Sequence, residues 1–275
     1  MANLRAIRMR IKSVESTRQI TKSMKMVAAA KLRKTQTAYS RLRDYAGKCE
    51  EILRRTASVL PPCPDWAPRP EVKRVCYVLI VGNRGLCGPY NHSLLRYWEQ
   101  LRADEQRETL LYTVGRWGRE LIGRTDGHFE LSDTPDAAEA HRIAEALREL
   151  YRSGEADEIV LVYQRFRSVL QQSPGCKTLL PLPLPEAGGE DCPPIFEPDA
   201  ETVMARLTEL VLESSVHAAL LEARTGEHAS RMTAMTSASD NTEELIGKLT
   251  LELNHARQAA ITTEISEIVG GAAAL

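Results

Sequence analysis

The residues that invite a chemical reading first are three glycines in VGNRGLCGPYN (Val81 to Asn91). A glycine loop between a strand and a helix is the setting in which backbone amides cradle a phosphate. The spacing here is G-x-x-G-x-x-G, through Gly82, Gly85 and Gly88. It is neither the dinucleotide fingerprint nor the P-loop, since it lacks the P-loop lysine and hydroxyl, and Pro89 removes an amide donor where the helix begins. The loop therefore reads as a tight structural turn, with nucleotide binding as the alternative. Cys87 is a candidate nucleophile only if His92 serves as its base, and a small buried thiol is the plainer reading. The six histidines (His92, His128, His141, His217, His228, His255) share no metal-ligand spacing with cysteine or carboxylate. The sequence thus offers no catalytic residue, no cofactor-binding residue and no metal ligand set.

A second group of residues points to contact instead of catalysis. Arg257 and Gln258 sit where an apolar helical seam (Ile246, Leu249, Leu253, Ala256, Ala260) meets a second apolar face at Ile261, Ile265 and Ile268, with Glu264 following two turns later. An arginine there suits a bidentate grip on a partner carboxylate. A helix tip greasy on more than one side must be enclosed, and nothing else in the chain is long enough to enclose it. On the N-terminal side, Lys22, Lys25 and Lys31 form part of a basic face that an acidic partner surface would fit.

Long helices must position these residues. No proline follows Pro198, and Leu207, Val211, Ser214, Ala218 and Leu221 begin the three-and-four spacing that continues towards the end of the chain. Some 70 helical residues would reach roughly 100 Å, more than a domain of this size spans. At the other end, Asn3 to about Ala57 reads as one helix, with Leu4, Ile7, Ile11 and Val14 opening a stripe. Ala38, Leu42, Tyr45, Cys49 and Ile52 resume it, across a slim section at Met24, Val27 and Ala28–Ala30. The first 35 residues hold ten Lys/Arg and one acidic residue, whereas Glu227 onward has three basic and seven acidic. Helices of opposite sign are expected to pair, and to pair antiparallel across a compact insert.

That insert starts after the proline-rich stretch from Leu60 to Pro70. Val75–Val81 reads as a buried strand, Ser93–Leu101 as a helix, Thr109–Val114 as a strand and Arg116–Ile122 as a helix. Ala137–Tyr151 is a helix, Glu158–Phe166 and Lys177–Leu182 are strands, and Pro181 to Pro198 is a return loop. The expected fold is an α/β insert on a long antiparallel α-helical coiled coil, its N- and C-terminal helices paired and its central domain Rossmann-like with a mostly parallel sheet. The boundaries are an N-terminal coiled-coil helix over 1–60, a linker over 61–72, an α/β foot over 73–198 and a C-terminal coiled-coil helix over 199–275.

Composition narrows the function. A net charge of −1 argues against a general nucleic-acid or membrane-surface binder. Six scattered cysteines without C-x-x-C read as reduced thiols. No run approaches the ~20 apolar residues of a membrane span. The basic start is no secretory signal, and its helical pattern continues past Cys49 instead of ending at a cleavage site.

Three segments together resemble the gamma subunit of F-type ATP synthases: GEHASRMTAMTSASDNTEELIGKLTLELNHARQAAITTEISEIVGGAAAL (Gly226 to Leu275), ITKSMKMVAAAKLRKTQ (Ile20 to Gln36) and, more loosely, RGLCGPYN (Arg84 to Asn91). Where the family has a second glycine, this chain has Pro89. The resemblance implies a non-catalytic rotor subunit of the central stalk, without cofactor and present as one copy per complex. Its coiled coil would lie within a hexamer of alpha and beta subunits, and its foot would rest against the epsilon subunit and the membrane c-ring. It implies a peripheral protein on the cytoplasmic side of the bacterial plasma membrane, with no direct membrane insertion and no nucleic acid. By the same resemblance, Met24, Lys25, Arg257, Gln258, Glu264, Ile261, Ile265 and Ile268 are contacts to the hexamer. Met24 and Lys25 are the facing contact on the N-terminal helix, and Phe196, Glu197 and Asp199 belong to the foot.

Overall fold

The computed structural model describes residues 2–57, 67–118, 123, 125–182 and 196–273. The chain divides into two compact units, one formed by Met1–Ala29 with Arg231–Leu275 and the other by Ala30–Ser230. Helices α1 (Ala2–Ala57) and α4 (Ala200–Ala273) contribute to both.

In the larger unit the order is β1 (Arg74–Ile80), α2 (Tyr90–Asp104), β2 (Glu108–Val114), β3 (Gly127–Phe129), α3 (Ala137–Ser153), β4 (Glu158–Phe166) and β5 (Gln172–Leu180). The strands form one sheet in the order β3-β2-β1-β4-β5, parallel except for β5, which pairs antiparallel with β4. β1 lies centrally and is buried on both faces, which is why its sequence is a continuous apolar run without alternation. Its alternate side chains still part to two cores. Val75, Tyr77 and Leu79 pack with Leu94 and Trp98 of α2, whereas Cys76, Val78 and Ile80 join Leu147 and Tyr151 of α3, Leu53 of α1 and Val211 and Leu220 of α4. The ends of α3 are set locally. Asp136 accepts a hydrogen bond from the Glu139 amide at 2.8 Å, and Gly154 closes the helix in the left-handed region at φ 81°.

The expected elements are present with shifted ends, and β3 was not anticipated. β5 starts at Gln172, five residues before the expected Lys177, because an edge strand tolerates Pro174 and Gly175. Of the helix expected over Arg116–Ile122, residues 119–122 lie outside the described residues, as do 60–66 of the proline-rich stretch and 183–195 of the return loop. In α1 the buried side is Leu32, Thr35, Ala46, Cys49, Leu53 and Thr56. Tyr45 and Ile52, expected on the stripe, are 48% and 50% exposed. Each is the first of an apolar pair, and the 3-4 phase fixed by Cys49 selects the second member, Ala46 and Leu53.

The smaller unit is an antiparallel helix pair. Thr21 and Ser239 share a hydrogen bond at 2.9 Å, and Arg18 lies 3.9 Å from Glu243, so residue numbers rise on one helix as they fall on the other. Leu4, Ile7, Ile11, Val14, Arg18, Thr21, Lys25 and Ala28 turn towards the seam at alternating spacings of three and four, opposite Met235, Thr242, Ile246, Leu249, Leu253, Ala256 and Ala260. That is the coiled-coil repeat, with small and polar residues where the backbones approach.

Candidate partner interface

The glycine loop is the first place to look for a ligand, and several of its polar groups are tied up within the chain. The Gly82 amide donates to Asn91 Oδ1 at 3.0 Å, and Asn83 Oδ1 accepts from the Arg116 amide at 3.1 Å. The Cys87 carbonyl accepts from Ser230 Oγ at 2.6 Å, and the Tyr90 hydroxyl donates to the Ala223 carbonyl of α4 at 2.7 Å. Gly82 is crowded, because a Cβ there would lie 3.0 Å from the Glu227 carboxyl carbon and 3.2 Å from Asn91 Oδ1. A carboxylate that close repels phosphate. With Pro89 at the start of α2, both Leu86 and Gly88 take a left-handed φ of 58°, and Leu86 is left exposed at the loop. The loop is a structural turn clamped to α4. Cys87 is buried with its Sγ 3.6 Å from the Arg84 carbonyl, the position of an inert packed thiol.

What the loop is clamped to was not foreseen from the sequence. From Ala219 to Ala229 every residue of α4 is buried, and inside that run lie Arg224 and Glu227, one turn apart and ion-paired. Arg224, 1% exposed, also donates from Nε and Nη2 to the Ser132 carbonyl at 2.8 and 2.6 Å and reaches Asp133 Oδ1 at 3.1 Å. Asp133 in turn binds Lys31 Nζ at 2.6 Å, and this contact chiefly holds the Asp133 carboxyl below its usual range. A buried arginine is tolerable only with its donors satisfied in this way. The available signal was an opposite-charge pair at i,i+3 in a helical run that also carries Glu222 and His228. Lys31, expected on a face meeting an acidic partner, spends its charge within the chain. Lys22 and Lys25 form no ion pair among the described residues. With Lys12 and Arg18 they line a groove of about 770 Å³ whose other wall carries Asp240 and Glu243.

The residues expected at the hexamer contact fall into two separate places. Arg257, Gln258, Ile261, Glu264, Ile265 and Ile268 all stand exposed on the last turns of α4, after the seam has ended at Ala260. Ile261, Ile265 and Ile268 are 48%, 56% and 71% exposed, and Val269 joins them at 62%. Met24 and Lys25 are half-buried on the seam side of α1. They do not face Arg257. The register set by Thr21 with Ser239 puts Met24 near residues 236–237, roughly 30 Å along the helix from Arg257 at ~1.5 Å per residue. A facing pair is a long-range property, and only the register could show that these are two heights of one helix pair.

In the segment expected to be the foot contact, Phe196 is half-buried while Glu197 and Asp199 are exposed. Asp199 has a local task. Its carboxylate accepts from the Thr202 amide at 2.8 Å and the Thr202 hydroxyl at 2.9 Å, capping α4. Those bonds, the amide first, hold it below the ordinary carboxylate range. No helix among the described residues is long and apolar enough to cross a membrane.

Comparison with known proteins agrees with a partner-binding reading. Residues 3–275 match the ATP synthase family. The ATP synthase gamma chain of Moorella thermoacetica is 44% identical over 281 residues, and that of Desulforamulus reducens 45% identical over 290 residues, each alignment covering the whole of both chains. Among solved structures, the central stalk/c-ring of the Tetrahymena thermophila mitochondrial ATP synthase aligns with a TM-score of 0.62 at 25% identity, covering 80% of this chain and 99% of that one. A chain of the Euglena gracilis mitochondrial ATP synthase in an OSCP/F1/c-ring structure aligns at 0.71 and 22% identity, covering 99% and 94%, and supports the fold.

Proposed function

Because the chain belongs to the family of ATP synthase gamma chains, we propose that it is the central-stalk rotor of an F-type ATP synthase, itself non-catalytic, coupling ion flow through a membrane c-ring to ATP synthesis or hydrolysis in an alpha/beta hexamer. The observation that carries this reading is the end of α4, where Ile261, Ile265 and Ile268 stand apolar and exposed beyond the last seam residue. A surface of that kind is stable in water only when something covers it, and a ring of subunits closing around a helix tip does so on every side. The rotor acts as a ligand does. It biases each catalytic subunit by contacting one conformation more favourably than another, so its asymmetry is its chemistry.

On this reading Arg257, Gln258 and Glu264 meet hexamer loops at the tip, and Met24 and Lys25 meet them lower down. Phe196, Glu197 and Asp199 lie towards an epsilon subunit and the c-ring. One copy serves each complex, held peripherally on the cytoplasmic side of a bacterial plasma membrane through its partners. The test is reconstitution. The chain is mixed with an immobilised alpha/beta hexamer lacking its stalk, a bead is attached through the exposed Cys176, and ATP is added. Unidirectional stepping is expected. A hexamer that hydrolyses ATP yet never takes up the chain overturns the proposal.

A further inference from the structure

On the larger unit, away from the surfaces discussed above, three metal-ligating side chains converge from two helices. His141 projects from α3, and Glu209 and Glu213 project from α4 one turn apart. His141 Nδ1 lies 2.5 Å from Glu213 Oε1, and one ligand atom from each of the three residues lies within 4.8 Å of the others. We propose that His141, Glu209 and Glu213 form a binding site for a divalent transition-metal ion of the zinc type, which straps α3 to α4.

The chemistry selects the ion class. One imidazole nitrogen and two carboxylates suit zinc and its neighbours, whereas calcium and magnesium prefer an all-oxygen shell and a softer ion would call for thiolate. Two carboxylates and a neutral imidazole also balance the formal charge of a divalent ion. A tetrahedral ion with bonds of about 2.1 Å holds its ligand atoms about 3.4 Å apart. The present spread reaches that spacing by rotation of exposed and half-buried side chains, with His141 and Glu213 parting slightly and Glu209 closing in. Arg206 Nη1 pairs with Glu209 Oε2 at 2.5 Å and leaves the other carboxylate oxygen to the ion. His217, one turn beyond Glu213, is engaged with the Pro135 carbonyl at 3.1 Å and does not contribute. The remaining coordination position faces solvent and takes water. The i,i+4 pair on one helix and the single ligand on another give the ion a structural effect, joining a helix of the sheet layer to α4.

The probe is Co²⁺ added to the untagged full-length chain and followed by its visible d–d absorption. The expected result is saturation at one ion per chain and displacement by Zn²⁺. Zn²⁺ at a hundredfold excess over its dissociation constant should raise the melting midpoint by about 5 °C. His141→Ala and Glu213→Gln should each weaken Co²⁺ binding at least about tenfold while keeping the metal-free far-UV spectrum, as expected for loss of one ligand. Glu213→Gln nearly preserves shape, so it decides the question if His141→Ala perturbs the fold. Absence of a saturable band overturns the proposal. So does a His141→Ala chain that binds as the parent does, which would place the ion on another histidine such as His255.

Discussion

At the scale of single residues, the same side chain can be read as a docking group or as a local fastener, and Asp199 separates the two. Its carboxylate caps α4 through Thr202, and its acidity is raised by those bonds. A group whose folded pKa is depressed contributes stability above its unfolded pKa and loses it as pH falls through the folded one. The cap should therefore persist through mildly acidic pH and fail only below the ordinary aspartate range. Asp199→Asn keeps an acceptor for the Thr202 amide and Asp199→Ala removes it. If capping is the whole role, amide exchange of the first turn of α4 rises in the alanine variant only, and both variants bind the epsilon subunit normally. If the charge itself docks the foot, both variants lose epsilon affinity together. Arg224 is the contrasting case, since it is buried and its guanidinium is held within the chain by Ser132, Asp133 and Glu227.

At the scale of elements, the tip of α4 poses the physical question. Exposed isoleucines contribute little to the stability of the isolated chain, so replacing Ile261, Ile265 and Ile268 by alanine should change its unfolding free energy by no more than about 0.5 kcal/mol per site. In the assembled complex the same triple change removes buried apolar contacts and should loosen hexamer binding by about a hundredfold. Torque per step should stay near the parent value, because nondirectional contacts slide at low cost. Loss of rotation with assembly intact would refute a tip that turns on sliding apolar contacts. This tip was legible in the sequence because its apolar residues exceed what one seam can hold. The long helices were legible for a related reason, their three-and-four spacing being sustained over many turns. Phase was harder. Tyr45–Ala46 and Ile52–Leu53 are adjacent apolar pairs, and only packing on Cys49 decides which member turns inward. β3, three residues long, has no period to read. The buried ion network and the 30 Å separation of Met24 from Arg257 depend on residues far apart in the chain, and no local pattern encodes them.

At the scale of the whole molecule, a rotor must pass twist along its helices without letting them slip. In the smaller unit α1 and α4 are joined by a narrow seam of small and apolar side chains. Polar ties across it include Thr21 with Ser239 and the long, solvent-exposed Arg18–Glu243 pair, the latter worth at most about 1 kcal/mol. Such a seam resists separation better than sliding, since apolar contacts fix distance more firmly than register. Whether the helices slide while working is open to direct test at Thr21 and Ser239, whose side-chain oxygens are 2.9 Å apart. Thr21→Cys with Ser239→Cys, in a chain whose exposed Cys176 is replaced by serine, should form a disulfide under mild oxidation. A rotor that turns as one body keeps its ATP-driven stepping rate to within about twofold on oxidation, because no motion within the pair is part of the cycle. Stepping that stops on oxidation and resumes on reduction would mean that α1 slides on α4 in every turn. In that case the weak polar ties across the seam serve to let the register move. Failure of the two thiols to join at all would instead refute the antiparallel register, and with it the separation of the two hexamer contacts along the helix pair.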